Sequence, residues 1–310
     1  MKPQHTWMNG RIVPWDESRI HVNTDAVLRG ASVFEGLRAY RSEDGDDLLL
    51  FRYDDHMHRL FGTSMRFLRM RAPYQPAELR QGVIDLLQAN GFRDDAHVRV
   101  VVYFDEVEVG HDIDGATGAF MLAFERPPSP RLTTGVRTTL SPWRRLSDTA
   151  MSPRVKASAN YLNGRVAGVD ARVKGYDSPV MLNAEGKVSE GPGQNVFLVR
   201  DGVLITPRTT DAILEGITRE TVIGLARELG IPCMEREVDP TELYIADELA
   251  FVGTAWEITP VVEIDGYRVG EGTVGPLTAR LQAAYFDLVR GRATAPDGWL
   301  TSVYRQTVRA

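Results

Sequence analysis

The stretch SPRVKASANYLN, residues 152–163, carries one lysine among short side chains. Val155, Ala157, Ser158 and Ala159 flank Lys156, and none is long enough to shield an ammonium or to pair with it. A surface lysine holds its charged head in water and lays only its stem on apolar neighbours. A lysine set among small and apolar residues loses hydration instead. That loss lowers its affinity for a proton and leaves a nucleophilic free amine. Such an amine is what a Schiff-base lysine needs. Lys156 alone does not choose between the two readings, so the rest of the chain has to.

Downstream, Glu190 lies in KVSEGPGQNVF, where a strand runs into a glycine-rich turn. A carboxylate there, set opposite a pyridinium nitrogen, holds it protonated and turns a pyridoxal ring into an electron sink. A glutamate before Gly-Pro-Gly is equally an ordinary turn residue. In LEGITRET, residues 214–221, Gly216 brings the backbone close, and Ile217 and Thr218 open a helix. N–H groups and a hydroxyl at a helix start suit a phosphate. Thr218 as a plain N-cap explains the same letters. In FVGTAWEITP, residues 251–260, Thr254 and Ala255 form a tight turn after a strand, with donors for another anion. Arg59, in HMHRL, is off the apolar stripe of its helix. It is either a solvated charge or a bidentate phosphate ligand.

The bounds are those of a globular protein. The chain has 310 residues, room for two modest domains or one large one. Its hydrophobic fraction of 43% and charged fraction of 25% are ordinary. A net charge of −6 argues against general nucleic-acid binding, which needs a basic face. No apolar run approaches the roughly 20 residues of a membrane helix. The N-terminus lacks the apolar core of a signal peptide. Cys233 is the only cysteine, which excludes an intrachain disulfide and points to a reducing cytoplasm. In His56-Met57-His58 the two histidines are two apart and point to different helix faces. They read as surface residues, and no metal site is expected.

The pattern predicts an α+β fold in both halves, with a mixed sheet. Strands are expected at residues 48–53, 98–104 and 119–124. One helix should follow Asp54 and Asp55, carrying Met57, Leu60, Phe61, Met65 and Leu68 on its apolar face. A second spans residues 76–90, stopped by Gly91. RPPSPR, residues 126–131, is a stiff connector. The expected division is a small domain over 1–125, a linker over 126–132, and a large domain over 133–310 that holds Lys156. In the second half, strands are expected at 136–140, 179–183, 187–191 and 196–207, the last turning at Asp201-Gly202. Helices are expected over 160–174, 217–229 and 277–289.

Lys156 in VKASANYLN, Glu190 in SEGPGQNVF, LEGITRE and GTAWEITP follow the order and spacing of the class IV aminotransferases, pyridoxal-phosphate enzymes of fold type IV, which the chain resembles. FEGLRAY, FRYDDHMHRL and WMNGRIVPW are similar to the branched-chain amino acid aminotransferase branch. The likeness runs from Trp7 to about Trp299. It implies that Lys156 binds the cofactor and moves the proton between substrate Cα and cofactor C4′. It implies that Glu190 faces the pyridine nitrogen and that Tyr161 bonds the phenolic oxygen. Arg59, Ile217, Thr218 and Thr254 match the phosphate cup, and Leu214 matches the residue packed under the ring. Thr254 and Ala255 match the turn that holds the substrate α-carboxylate, and Phe34 matches a pocket residue. A homodimer or larger assembly is implied, with amino donor and 2-oxo acid acceptor reacting by ping-pong kinetics.

The substrate pocket departs from the branch. Arg29 stands where a tyrosine is common, His97 replaces the tyrosine of Tyr-x-Arg while Arg99 is kept, and Trp256 replaces a small residue. Two readings follow. Either Arg29 turns outward or pairs with an acid such as Glu35, leaving an apolar pocket, or Arg29, His97 and Arg99 together prepare a polar or anionic one. Arg99 suits the distal carboxylate of glutamate or 2-oxoglutarate in either case. D-amino-acid and (R)-amine aminotransferases, aminodeoxychorismate lyase and a non-catalytic pyridoxal-phosphate-binding protein are the alternatives.

Overall fold

A computed structural model describes residues 3–106 and 115–305. The chain divides into two compact units. One comprises Met1–Pro128, Val155–Ala159 and Asp287–Ala310, and the other Ser129–Arg154 and Asn160–Phe286. Two pieces of the expected large domain therefore belong to the first unit. Long-range backbone pairing draws them there. Ala157 bridges Val33, and the strand Leu300–Ser302 pairs with Leu48–Phe51.

The first unit is built on a seven-stranded sheet, antiparallel in all its pairings. Its order is Leu300–Ser302, Leu48–Phe51, Ser32–Arg41, Ala96–Phe104, Thr117–Glu125, His5–Met8 and Arg11–Pro14. Strand side chains alternate between faces. The register sets Val33 opposite Val102 and Leu37 opposite Val98, with Val100 opposite Met121. All are buried, and the helix Pro76–Ala89 supplies buried Leu79, Val83, Leu86 and Leu87. Phe34, His97, Arg99 and Leu122 lie on the other face of the sheet, which is more open.

The helix after the strand Leu48–Phe51 runs from Tyr53 to Arg59, and its N-cap is Arg52 in a left-handed conformation rather than either aspartate. It continues as a π-helix over Leu60–Met65. Such wide turns recur at functional sites because they re-aim side chains. Met57, Leu60 and Met65 are buried as the periodicity requires.

The second unit carries a mixed eight-stranded sheet. Its order is Cys233–Glu235, Val203–Thr206, Asn195–Arg200, Glu248–Gly253, Glu257–Ile264, Val136–Leu140 and Ser178–Val180, with Tyr267–Arg268 paired to Glu257–Ile264. Asp201 and Gly202, at φ 51° and 75°, make the expected hairpin turn. Residues 187–191 form no full strand. Only a single bridge joins Val188 to Leu182. Val196, Leu198, Leu249, Phe251, Val261 and Ile264 form the core beneath this sheet. Among the described residues, no helix is long and apolar enough to cross a membrane.

Candidate active site

Small residues around Lys156 serve close backbone approach. Within the first unit, Lys156 N donates to Ser64 Oγ at 3.1 Å. Phe34 N donates to the Lys156 carbonyl at 3.0 Å, and Ser158 N to the Ser32 carbonyl at 2.9 Å. Val155 and Ala157 are buried. The lysine is thus stitched on both sides to the strand Ser32–Arg41 and to the π-turn. Its Nζ stands 5.1 Å from the centre of the Phe34 ring.

Arg59 is buried, not a surface charge. Its Nε and Nη2 donate to the two Glu35 oxygens at 2.8 and 2.7 Å. His56 Nδ1 lies 2.8 Å from Glu35 Oε2. Burial alone raises the Glu35 carboxyl, but Arg59 and His56 outweigh it and hold it down at about 2. His56 is therefore an interior residue bonded to a carboxylate, whereas the sequence suggests a surface one. Only His58 is exposed. Among the described residues no group of three or more His, Cys, Asp or Glu side chains is placed to hold a metal.

The pocket-side cluster separates. Arg29 caps the short helix Asp25–Leu28 and pairs with Asp25, not with Glu35. His97 is pushed down to about 3, first by burial and then by the arginines Arg126, Arg38 and Arg99. It is neutral, and its buried Nδ1 has no hydrogen-bond partner. Arg99 is exposed, with its guanidinium 5.3 Å from the Phe34 ring centre.

In the second unit, Glu190 is buried and fixed from three sides. Arg145 Nη2 lies 2.6 Å from Oε1. Asn195 Nδ2 and Leu214 N donate to Oε2 at 2.9 and 3.1 Å. Asn195 Nδ2 also reaches the Leu214 carbonyl at 3.0 Å. Sequence reasoning singles out neither Arg145 nor Asn195. The only available signal was Asn195 closing the quoted GPGQN.

The helix Ile217–Glu228 begins at Gly216 with no side-chain cap, so Thr218 is not its N-cap. A Cβ on Gly216 would stand 2.0 Å from Asn195 Oδ1, and only glycine fits this approach. Thr218 is buried in the first turn. The turn after Glu248–Gly253 is closed by Trp256 N donating to the Gly253 carbonyl at 2.9 Å, which places Thr254 and Ala255 at its tip. Trp256 packs edge-on to Phe251 at 5.6 Å, with Arg131 over its ring at 5.8 Å. Tyr161 lies in the first turn of the helix Asn160–Val173, and Gly193 packs beside its ring.

Taken unit by unit, the residue types fit pyridoxal phosphate. Glu190 is a buried carboxylate paired with Arg145, and a carboxylate is the partner a protonated ring nitrogen requires. The helix Ile217–Glu228 starts at a glycine, which brings no capping side chain of its own, and a helix start of this kind suits a phosphate. In the first unit, the side chain of Lys156 ends in a primary amine, the group that an aldehyde cofactor requires.

The family model for amino-transferase class IV matches residues 32–264. The chain belongs to the class IV aminotransferases, and it is a pyridoxal-phosphate-dependent transaminase of fold type IV. It is 37% identical over 307 residues to the branched-chain-amino-acid aminotransferase of Escherichia coli K12, covering 97% of this chain and 98% of that one. It is similar to the crystal structure of the branched-chain aminotransferase from Thermoproteus uzoniensis with norvaline, at 42% identity and TM-score 0.91, over 97% of this chain and 100% of that one. The branched-chain aminotransferase from Thermobaculum terrenum in its PLP form matches at 40% identity and TM-score 0.90, over 98% and 99%.

Proposed function

We propose that this transaminase moves the amino group between a branched-chain L-amino acid and a dicarboxylic 2-oxo acid such as 2-oxoglutarate. The state of Arg29 carries the choice. Its guanidinium is already neutralised by Asp25, one helical turn back, so it brings no unpaired cation to a substrate. His97 is neutral as well. Phe34 offers an apolar wall to an aliphatic side chain, and Arg99 beside it suits a distal carboxylate. The names of the relatives support the branched-chain donor.

When bound, pyridoxal phosphate supplies a ring that stores the electron pair left at the substrate Cα. Lys156 Nζ would bind the cofactor and carry the proton taken from the substrate Cα. The Glu190 carboxylate, held by Arg145, Asn195 and the Leu214 N–H, would keep the proton on the ring nitrogen. Tyr161 would bond the phenolic oxygen, and Leu214 would pack against the ring. Arg59, Ile217, Thr218 and Thr254 would hold the phosphate. Thr254 and Ala255 hold the substrate α-carboxylate, and Trp256 borders the pocket while its ring stays packed on Phe251. We place the enzyme in the cytoplasm, given its lone cysteine, and as a homodimer or larger assembly.

A half-reaction screen tests the substrates. Single donors are added to the holoenzyme and bleaching of the cofactor's visible band is followed. L-Leucine, L-valine and L-isoleucine should bleach it fastest, with L-glutamate next, and D-alanine or an (R)-amine slowly. Faster bleaching by polar or basic amino acids overturns the assignment. An Arg99→Met variant should raise KM for 2-oxoglutarate by at least about tenfold and leave KM for leucine nearly unchanged.

A further inference from the structure

The helix Asn160–Val173 has two apolar faces. The inner one is made of small residues. Asn160, Gly164, Ala167 and Ala171 are buried, and a Cβ on Gly164 would stand 2.7 Å from the Pro192 carbonyl oxygen. The outer one faces solvent, with Leu162, Val166, Val169 and Val173 at 64%, 40%, 49% and 83% exposure. At about 100° per residue the two sets fall on opposite sides of the helix. A helix that is apolar on both sides is covered on both sides in a finished assembly. Here the outer side lacks its cover.

The spacing of the outer stripe, 162, 166, 169 and 173, is the alternating four-three step of a heptad seam. Arg165 and Arg172 border it along one edge, and Asn163 and Asp170 along the other. Among the described residues neither arginine has an ion-pair partner. Asp170 holds only Lys174, at 2.7 Å, in a partly exposed pair one turn away.

These flanks select a partner. In two parallel copies of this helix, Arg165 of each lies beside Asp170 of the other, and both pairs form by symmetry. In an antiparallel arrangement arginine edge meets arginine edge. A net charge of −6 disfavours an anionic membrane as the cover.

We propose that Leu162, Val166, Val169 and Val173 form the seam of a two-fold contact with the same helix of a second copy. The helices run parallel, and Arg165–Asp170 pairs close the seam. Such a contact is isologous, each residue meeting its own counterpart. It rests on the self-association proposed above and names its surface. Tyr161 lies one residue before the seam begins, so the contact also steadies the turn that carries it.

Sedimentation velocity on the holoenzyme across a concentration series tests this. The proteins compared are wild type, Val166→Asp/Val169→Asp, Arg165→Asp, and Arg165→Asp/Asp170→Arg. The valine double variant should dissociate to a smaller species, its affinity weakened on the order of 100-fold, the scale of losing two buried anchors. Its melting temperature should stay close to wild type, since both positions face solvent in the single chain. Arg165→Asp should weaken the assembly about tenfold, and the charge exchange should restore it. A wild type that stays monomeric overturns both self-association and this surface, as does a monomer that floats with neutral vesicles. An assembly of unchanged mass in the valine variant overturns the surface alone. If that variant unfolds, failure of the charge exchange to restore affinity overturns the proposal.

Discussion

Arg59 and Glu35 meet fork to fork in the interior of the first unit, with two parallel hydrogen bonds of 2.8 and 2.7 Å. The pair holds Arg59 in one orientation. Removing one partner from such a pair strands a buried charge, which costs about 3–5 kcal/mol. Glu35→Gln should destabilise the protein by that order in urea unfolding and should weaken cofactor binding, because Arg59 loses its anchor. The stability that Glu35 contributes is complete above its ordinary value of 4.5 and is lost as pH falls toward about 2. The variant's deficit should therefore shrink in acid.

His97 gives a second pH signature. Its folded value of about 3 lies below the ordinary 6.5. Below pH 6.5 the unfolded chain takes up a proton that the folded one refuses, so stability falls by about 1.4 kcal/mol per pH unit for this group. Between pH 6.5 and 5, unfolding free energies of His97→Phe should show a shallower fall than those of wild type. An equal slope would mean that His97 is charged in the native state.

Gly216→Ala should disturb Glu190, the carboxylate proposed for the ring nitrogen, through Asn195. The added methyl collides with Asn195 Oδ1. Asn195 must then swing away from Glu190 and from the Leu214 carbonyl. Equilibrium dialysis should find cofactor affinity lowered by about tenfold or more, consistent with losing two buried hydrogen bonds. Gly224→Ala, in the same helix with open space around it, should bind cofactor normally.

Arg29→Ala should leave the ranking of amino donors unchanged, since its charge is spent on Asp25. Relative half-reaction rates for leucine, glutamate and lysine decide this. A shift toward acidic or basic donors would show that Arg29 swings into the pocket during turnover.

Local chemistry made much of this architecture legible. The hairpin at Asp201-Gly202 and the helix stop at Gly91 are written in residues that tolerate positive φ. The apolar face of Met57, Leu60 and Met65 is written in its period. The motifs around Lys156, Glu190 and Gly216 are contiguous, so each could be picked out in place. Arg145 could not be found this way. It lies in an irregular stretch 45 residues before its partner Glu190, and nothing local marks an arginine as buried. The burial of His56 was hidden likewise, because Glu35 reaches it across 21 positions. The pairing of Leu300–Ser302 with Leu48–Phe51 carries no short-range signal at all.

The chain leaves the second unit for the five residues Val155–Ala159, returns, and leaves it again after Phe286. Severing the proline-rich connector thus cannot yield two self-sufficient fragments. The amino-terminal piece would lack both the strip bearing Lys156 and its own edge strand Leu300–Ser302. During synthesis the same architecture imposes a wait, because the first sheet to emerge from the ribosome is the last to be completed. A nascent chain stalled before residue 300 exposes the edge Leu48–Phe51 to any passing strand, so premature termination should be punished by aggregation rather than by partial activity.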